Sequence, residues 1–263
     1  MYYYIICLTV FVLAYIANVL MITIGYHRGL AHGALTLSPS LRRLVIEGGS
    51  WLTGLDPKAW SVMHRMHHAY SDSEQDPHSP KNVGLLGIPM EQLKSYKRVI
   101  IGLMRKDKTY TRFTAGLDFE LSWLNRRGLW YLPYVLHIVI GVVLGLIVGG
   151  WLLPLCYFFG IMSHPVQGGL VNSLGHARGG RNFDTNDDSR NHHIVAWLVG
   201  GEGFQNNHHQ YPASAKFSYT ANEVDLGYGA CIVMQRMGLL KIESAGMIPA
   251  APNRRTRSIS RQR

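Results

Sequence analysis

Thirteen histidines in 263 residues are the chemical anomaly of this chain. Eight of them fall into spaced sets instead of one contiguous tract. His27 and His32 bracket Arg28-Gly29-Leu30-Ala31, and His64, His67 and His68 share one short segment. His176 follows Asn172 by four positions, and His208-His209 close the run Gly201-Glu202-Gly203-Phe204-Gln205-Asn206-Asn207. Residues three or four apart share a helix face, so His64 converges with His67 or His68, Gln205 with His208 and His209, and Asn172 with His176. His27 and His32 are five apart, about 140° around a continuous α-helix. They meet at one site if the helix ends near Gly29, a residue that permits the turn. Imidazole suits iron, zinc, copper and nickel. A catalytic zinc takes three protein ligands, so eight imidazoles and an amide exceed one such site and suit two metals with four or five ligands each. The Glu-x-x-His pattern of carboxylate-rich di-iron bundles is absent. A histidine-ligated di-iron site that activates oxygen is what this pattern leaves. His78, His137 and His164 are read as ordinary hydrogen-bonded imidazoles, and His192-His193, outside the repeated spacing, as structural.

The elements that must carry these residues are apolar. Hydrophobic residues make up 47% and charged residues 16%, well under the charge of a soluble domain, which argues against disorder, coiled coil and an ordinary soluble enzyme. Met1 to Tyr26 contains no charge, and a helix of that length extends about 39 Å, enough to cross a bilayer. No basic segment precedes it, as a cleaved signal peptide would require. The charge-free stretch Gly128 to Ala177 suits a helical hairpin turning at Gly149-Gly150. Three spans are therefore expected, at about 1–26, 130–149 and 151–172, in an all-α integral membrane protein with a cytoplasmic helical cap and interfacial helices. They put all 26 Lys and Arg in one compartment, which the positive-inside rule makes the cytoplasm; the histidine sets lie on that side. The net charge of +10 is then a matter of topology and anionic lipid. No recognition-helix pattern points to nucleic acid. Leu41 to Leu55, charged and glycine-broken, reads as interfacial or re-entrant. A single domain is expected over 1–245, followed by a disordered basic tail, 246–263. Cys7, Cys156 and Cys231 are too scattered for a disulfide framework or a cysteine metal site.

Taken together, the residues resemble the membrane fatty acid desaturases, particularly the stearoyl-CoA (Δ9) type. The similarity rests on His27-x4-His32, His64-x2-His67-His68, Asp76-Pro77-His78, Val171-Asn172-Ser173-x2-His176, Arg181-Asn182-Phe183-Asp184 and Gly201-Glu202-Gly203-Phe204-x-Asn206-x-His208-His209, all in that family's order across roughly 15–240. The resemblance implies that His27, His32, His64, His67, His68, His176, His208 and His209 bind two irons, and that Asn172 holds an iron-bound water. It also places Trp60 at the bend of the acyl tunnel; a plain interfacial anchor is the competing reading of that residue. Oxygen, reduced by two delivered electrons, would then remove two hydrogens from a saturated acyl chain and leave a cis alkene, with Δ9 the expected position.

Three departures stand out. Gln205 occupies the place of the first histidine of the third box, and an amide oxygen is a weaker donor than imidazole. The family generally has four transmembrane helices, where three are legible here. Val62-Met63 replaces an Arg-Asp pair that contacts the CoA headgroup, which opens acyl-lipid or acyl-carrier-protein substrates beside acyl-CoA. With no Rossmann, flavin, ferredoxin or cytochrome motif in the chain, electrons must come from an external donor of ferredoxin or cytochrome b5 type. The competing functions are a histidine-box lipid hydroxylase or oxygenase and a zinc-dependent membrane hydrolase.

Overall fold

The computed structural model describes residues 1–246; the basic tail expected at the C-terminus lies outside the described residues from Met247 on. The architecture is mostly helical, with one two-stranded ribbon. Helical backbone runs without interruption from Tyr2 to Ala31 and forms, among the described residues, one helix long and apolar enough to cross a membrane. Its first part, Tyr2–Leu20, is α-helical, and its last part, Met21–Ala31, is a π-helix. The expected stop near Gly29 is therefore corrected. A widened turn bonds i to i+5, as His32 N–H donates to His27 O at 3.1 Å, and this brings two residues five apart onto one face. Gly29 serves the widening itself, since a Cβ there would lie 2.9 Å from the Ile24 carbonyl oxygen.

The charge-free stretch after Gly128 forms the helices Leu132–Val148 and Leu152–Ile161, turned at Gly149, whose φ of 84° lies in the left-handed region. Tyr3 Oη accepts from the backbone N–H groups of Leu152 and Leu153 at 3.0 and 3.2 Å, satisfying donors the helix leaves open. The interval 151–172 is not a single helix. It breaks at Met162 and Ser163 and resumes as His164–Leu174. Pro165 is the cause, because a proline ring clashes with the carbonyl four residues back and is tolerated only in a helix's first turn. Leu152–Ile161 packs closely on the first helix at Gly160, where a Cβ would meet Phe11 O at 2.6 Å, the small-residue contact that brings two apolar helices together.

Leu41 to Leu55 is not broken as expected: helical backbone continues from Pro39 to Thr53 through Pro39–Arg43, a π turn at Leu44–Gly48 and Gly49–Thr53. The helix Pro57–Tyr70 begins at Asp56, whose Oδ1 accepts from Lys58 N and Ala59 N at 2.9 and 3.0 Å, with Pro57 in the first position. Strand Leu35–Leu37 pairs antiparallel with Leu240–Ile242, so the end of the described chain is fastened beside the first helix.

Arg28 locks these elements together. Fully buried, it donates to Ala215 O at 2.8 Å and to Asp225 Oδ1 at 3.0 Å, lies 3.3 Å from Glu202 Oε1, and stacks 3.8 Å above Phe217. Removing one member of such a buried set strands the opposite charge, a loss of about 3–5 kcal/mol.

Packing around Tyr26 leaves no room for added atoms, since a Cβ on Gly49 would lie 2.4 Å from Tyr26 Oη. Gly49→Ala should destabilise the fold by about 1–3 kcal/mol. Thermal unfolding in detergent should show a clear drop in Tm, and an unchanged Tm would contradict this packing.

Candidate metal centre

Each histidine set arrives on a different element. His27 and His32 come from the π-helix, and His64, His67 and His68 from Pro57–Tyr70. His176 lies just past His164–Leu174, and His208 and His209 sit on the short helix Gln205–Gln210. Six residues do not make a stable helix unaided, and this one is suspended by its asparagines. Asn206 Oδ1 accepts from the backbone N–H groups of Asn182 and Phe183, both at 2.8 Å. Asn207 Nδ2 donates to Phe217 O at 2.9 Å and Glu223 Oε2 at 2.8 Å.

The structure sorts the eight histidines into two adjacent groups. His27, His32, His64, His68 and His208 form one; His67, His176 and His209 form the other, with the donor atoms of each group within 4.8 Å of one another. Consecutive helical residues point about 100° apart, so His67-His68 and His208-His209 each send one ring to either group. In the first group, Nε2 atoms approach at 2.9 Å (His27–His208), 2.8 Å (His32–His64), 3.0 Å (His64–His68) and 2.9 Å (His68–His208). A ring nitrogen carries either one proton or one lone pair, so a chain in which His64, His68 and His208 each make two such contacts is not a set of hydrogen bonds. Neighbouring ligands of one ion with metal–nitrogen bonds of about 2.1 Å have this spacing.

The second group carries a different signature. The Nε2 atoms of His67, His176 and His209 are buried and without a partner among the described residues, while every Nδ1 faces a carboxylate. His67 Nδ1 is 3.0 Å from Asp76, His176 Nδ1 2.9 Å from Asp72, and His209 Nδ1 2.7 Å from Asp187. His27 Nδ1 likewise lies 2.6 Å from Glu202. A carboxylate there holds the proton on Nδ1 and directs the Nε2 lone pair inward, the arrangement that orients metal-bound histidine. The donor chemistry of both groups therefore fits a metal ion.

The electrostatics agree. Burial, followed by the neighbouring imidazoles, holds His32, His64, His68 and His208 well below the ordinary imidazole range. Burial pushes His209 down to about 4 against the pull of Asp187. Burial would lower His67 too, but Asp76 outweighs it and the ring is raised. Despite its burial, the Asp72 carboxyl is held down to about 2 by its bond to His176, and Asp76 and Asp187 are held below the usual carboxylate range by His67 and His209.

The remaining site residues of the sequence reading, Asn172, Gln205 and Trp60, line a cavity of about 140 Å³ whose wall also includes His27 and His64. Gln205 Nε2 donates to Glu202 O at 2.7 Å. Trp60 stacks on His64 with centroids 5.1 Å apart and planes 11° off parallel. The four carboxylates lie outside the sequence-predicted set. The signal for them was the need of a buried imidazole for an Nδ1 partner, yet Asp72 is 104 residues from His176, a separation no spacing rule reaches. His78, read from sequence as ordinary, is buried, stacks on His67 at 4.6 Å and has neither ring nitrogen partnered among the described residues. His164 lies in the cavity wall. His137 bonds Tyr157 Oη and Trp51 O, and His192 caps a helix by accepting from Val195 N, both structural as expected.

The fatty acid desaturase family model matches residues 3–221. Among curated relatives, a hex-5-enoyl-[acyl-carrier protein] acetylenase of Moorena producens is 31% identical over 253 residues, covering 87% of this chain and 74% of that protein. Delta-9 acyl-lipid desaturase 2 of Arabidopsis thaliana is 29% identical over 261 residues, covering 95% and 77%. The sn-1 stearoyl-lipid 9-desaturase of Anabaena variabilis is 32% identical over 230 residues, covering 86% and 79%.

Two outcomes follow from this geometry. Asp187→Asn should lower metal affinity about 10–100-fold in a chelator competition, and unchanged retention would contradict a role for the carboxylate in orienting His209. In the metal-free protein, unfolding lets the depressed imidazoles take up protons below about pH 6.5, so the unfolded state binds more protons and stability falls as pH drops toward 4. The raised His67 opposes this singly. A detergent-phase Tm that stays flat or rises between about pH 7.5 and 5 would contradict the burial of neutral rings.

Proposed function

Because the chain belongs to the fatty acid desaturase family and is an oxidoreductase acting on fatty acyl chains, we propose that it uses two irons and dioxygen to introduce a cis double bond, at Δ9, into a saturated acyl chain. The observation that carries this reading is the division of eight imidazoles into two adjacent groups, one with a carboxylate at every ring and the other reaching the cavity through His27 and His64. His27, His32, His64, His68 and His208 hold one iron; His67, His176 and His209 hold the other, with Asn172 and Gln205 at its margin. Bound iron supplies the capacity to reduce dioxygen with two external electrons and to remove one hydrogen from each of two neighbouring methylenes. The reaction balances as one dioxygen, two electrons and two protons in, one alkene and two waters out.

The chain's own residues do the positioning. Asp72, Asp76, Asp187 and Glu202 keep the ring protons on Nδ1, so the inward nitrogens stay available. Ile22, Leu55, Met63 and Leu93 give the cavity apolar walls, which seat methylenes and exclude water. Trp60, flat on His64, sets the path of the acyl chain past the centre.

Val62 is fully buried and Met63 nearly so, so neither offers a polar contact to a CoA headgroup, and an acyl chain on a lipid or a carrier protein is the better match. Relatives named for acyl-lipid, stearoyl-lipid and acyl-carrier-protein chemistry support the same choice, while one of similar identity is named for an icosanoyl-CoA substrate. In this reading the protein is multi-pass in the membrane with its histidine boxes on the cytoplasmic side, where basic surface receives a ferredoxin or cytochrome b5 type donor.

Co-expressed with a donor and given saturated acyl chains, the protein should yield cis monounsaturated products that disappear in His67→Ala. An iron-loaded, folded preparation that leaves the fatty acid profile unchanged would overturn the assignment, and products heavier by one oxygen would favour a hydroxylase. Gln205→His should raise iron retention while desaturation persists; lower retention would contradict a marginal place for this side chain.

A further inference from the structure

His78, Gln92, Tyr96, Tyr134, His164 and Gln167 are polar residues of the cavity wall that the desaturation chemistry leaves unused, and hydrogen-bond accounting fixes what His164 and Gln167 present. His164 and Gln167 stand three residues apart in the first turn of His164–Leu174, so they share a helix face, and both line the cavity. Trp60 Nε1 is a donor only, so His164 Nε2, 3.1 Å away, accepts from it. The imidazole proton is then on Nδ1, which is buried and has no partner among the described residues. Gln167, 2% exposed, donates through Nε2 to Ser163 Oγ at 2.6 Å and to Asn18 Oδ1 at 3.2 Å. Both acceptors are oriented in turn, Ser163 Oγ donating to Gly160 O at 2.6 Å and Asn18 Nδ2 to Ile161 O at 2.7 Å. Both amide protons of Gln167 are thus engaged, and Oε1 remains buried without a partner among the described residues.

One locked donor and one locked acceptor, on neighbouring positions of one helix face, are therefore left over in the cavity wall, which also holds the unpartnered ring of His78. A methylene chain lying there leaves both unmet, which is costly for buried polar atoms. A carbonyl oxygen only accepts, whereas a hydroxyl accepts once and donates once and satisfies both. We propose that His164 and Gln167 form a specificity subsite for an oxygenated acyl chain, His164 Nδ1–H donating to a hydroxyl on the substrate and Gln167 Oε1 accepting from it. This rests on the reading of the cavity as the seat of the acyl chain.

The test is competition binding to the iron-loaded protein in detergent, comparing methyl stearate with a positional series of methyl monohydroxystearates. At least one position should bind about tenfold more tightly than the plain ester. Gln167→Leu and His164→Phe should each bring that ratio to within about twofold, while methyl stearate still binds. Two variants on different atoms separate loss of the subsite from a misfolded chain. Equal affinity for plain and hydroxylated esters, as expected if a resident water satisfies the pair, overturns the inference and leaves the desaturase reading standing. A preference that survives both substitutions also overturns it. Failure of every ester to bind overturns the cavity assignment together with it.

Discussion

Crowded lone pairs are the constraint on which the structure depends. Five imidazole nitrogens approach at 2.8–3.0 Å, and three more buried nitrogens stand beside them unpaired. Such an arrangement is repulsive unless cations are shared among the nitrogens, and protonation would make it worse. The surrounding protein keeps those nitrogens deprotonated and aimed. Carboxylates face the far ring nitrogens of His27, His67, His176 and His209, and burial lowers the proton affinity of His32, His64, His68, His208 and His209.

The fold meets this demand with several local irregularities. A π-helical end to the first helix aligns His27 with His32, and a proline break divides the apolar stretch so that a new helix can deliver Asn172 and end before His176. The third box sits on a helix too short to stand alone and is hung from Asn182, Phe183, Phe217 and Glu223. Arg28, next to His27, ties the first helix to Glu202 and Asp225. These features store the positioning energy away from the histidines, whose Nε2 atoms stay clear of other protein partners.

Much of the site could be read from residue spacing, because i, i+3 and i, i+4 pairs report a helix face directly. That was enough for His64 and His68, which meet in one group, whereas His67 turns to the other. His27 and His32 do share a face, but the widened helix achieves this, and the expected end at Gly29 does not occur. Periodicity alone does not separate α from π winding; the close approach of Gly29 to Ile24 O does. The third apolar stretch is two helices and not one, a break that hydropathy misses because it averages over Pro165. Asp72, Asp187 and the cavity roles of His78 and His164 were beyond reach, since they depend on contacts between distant segments. Asp187, for instance, meets His209 from a loop that Arg181 closes by bonding Thr185 O and Asp187 O.

Desaturation asks for an oxidant held against one pair of methylenes in a dry place. A paired histidine centre at the wall of an apolar cavity, with an indole stacked on one of its rings, supplies that juxtaposition. The most direct test of this account is iron-edge X-ray absorption on the purified protein, together with metal analysis. The expected result is two irons per chain in shells dominated by imidazole nitrogen at about 2.1 Å. A single zinc per chain, or iron in shells dominated by carboxylate oxygen, would contradict it.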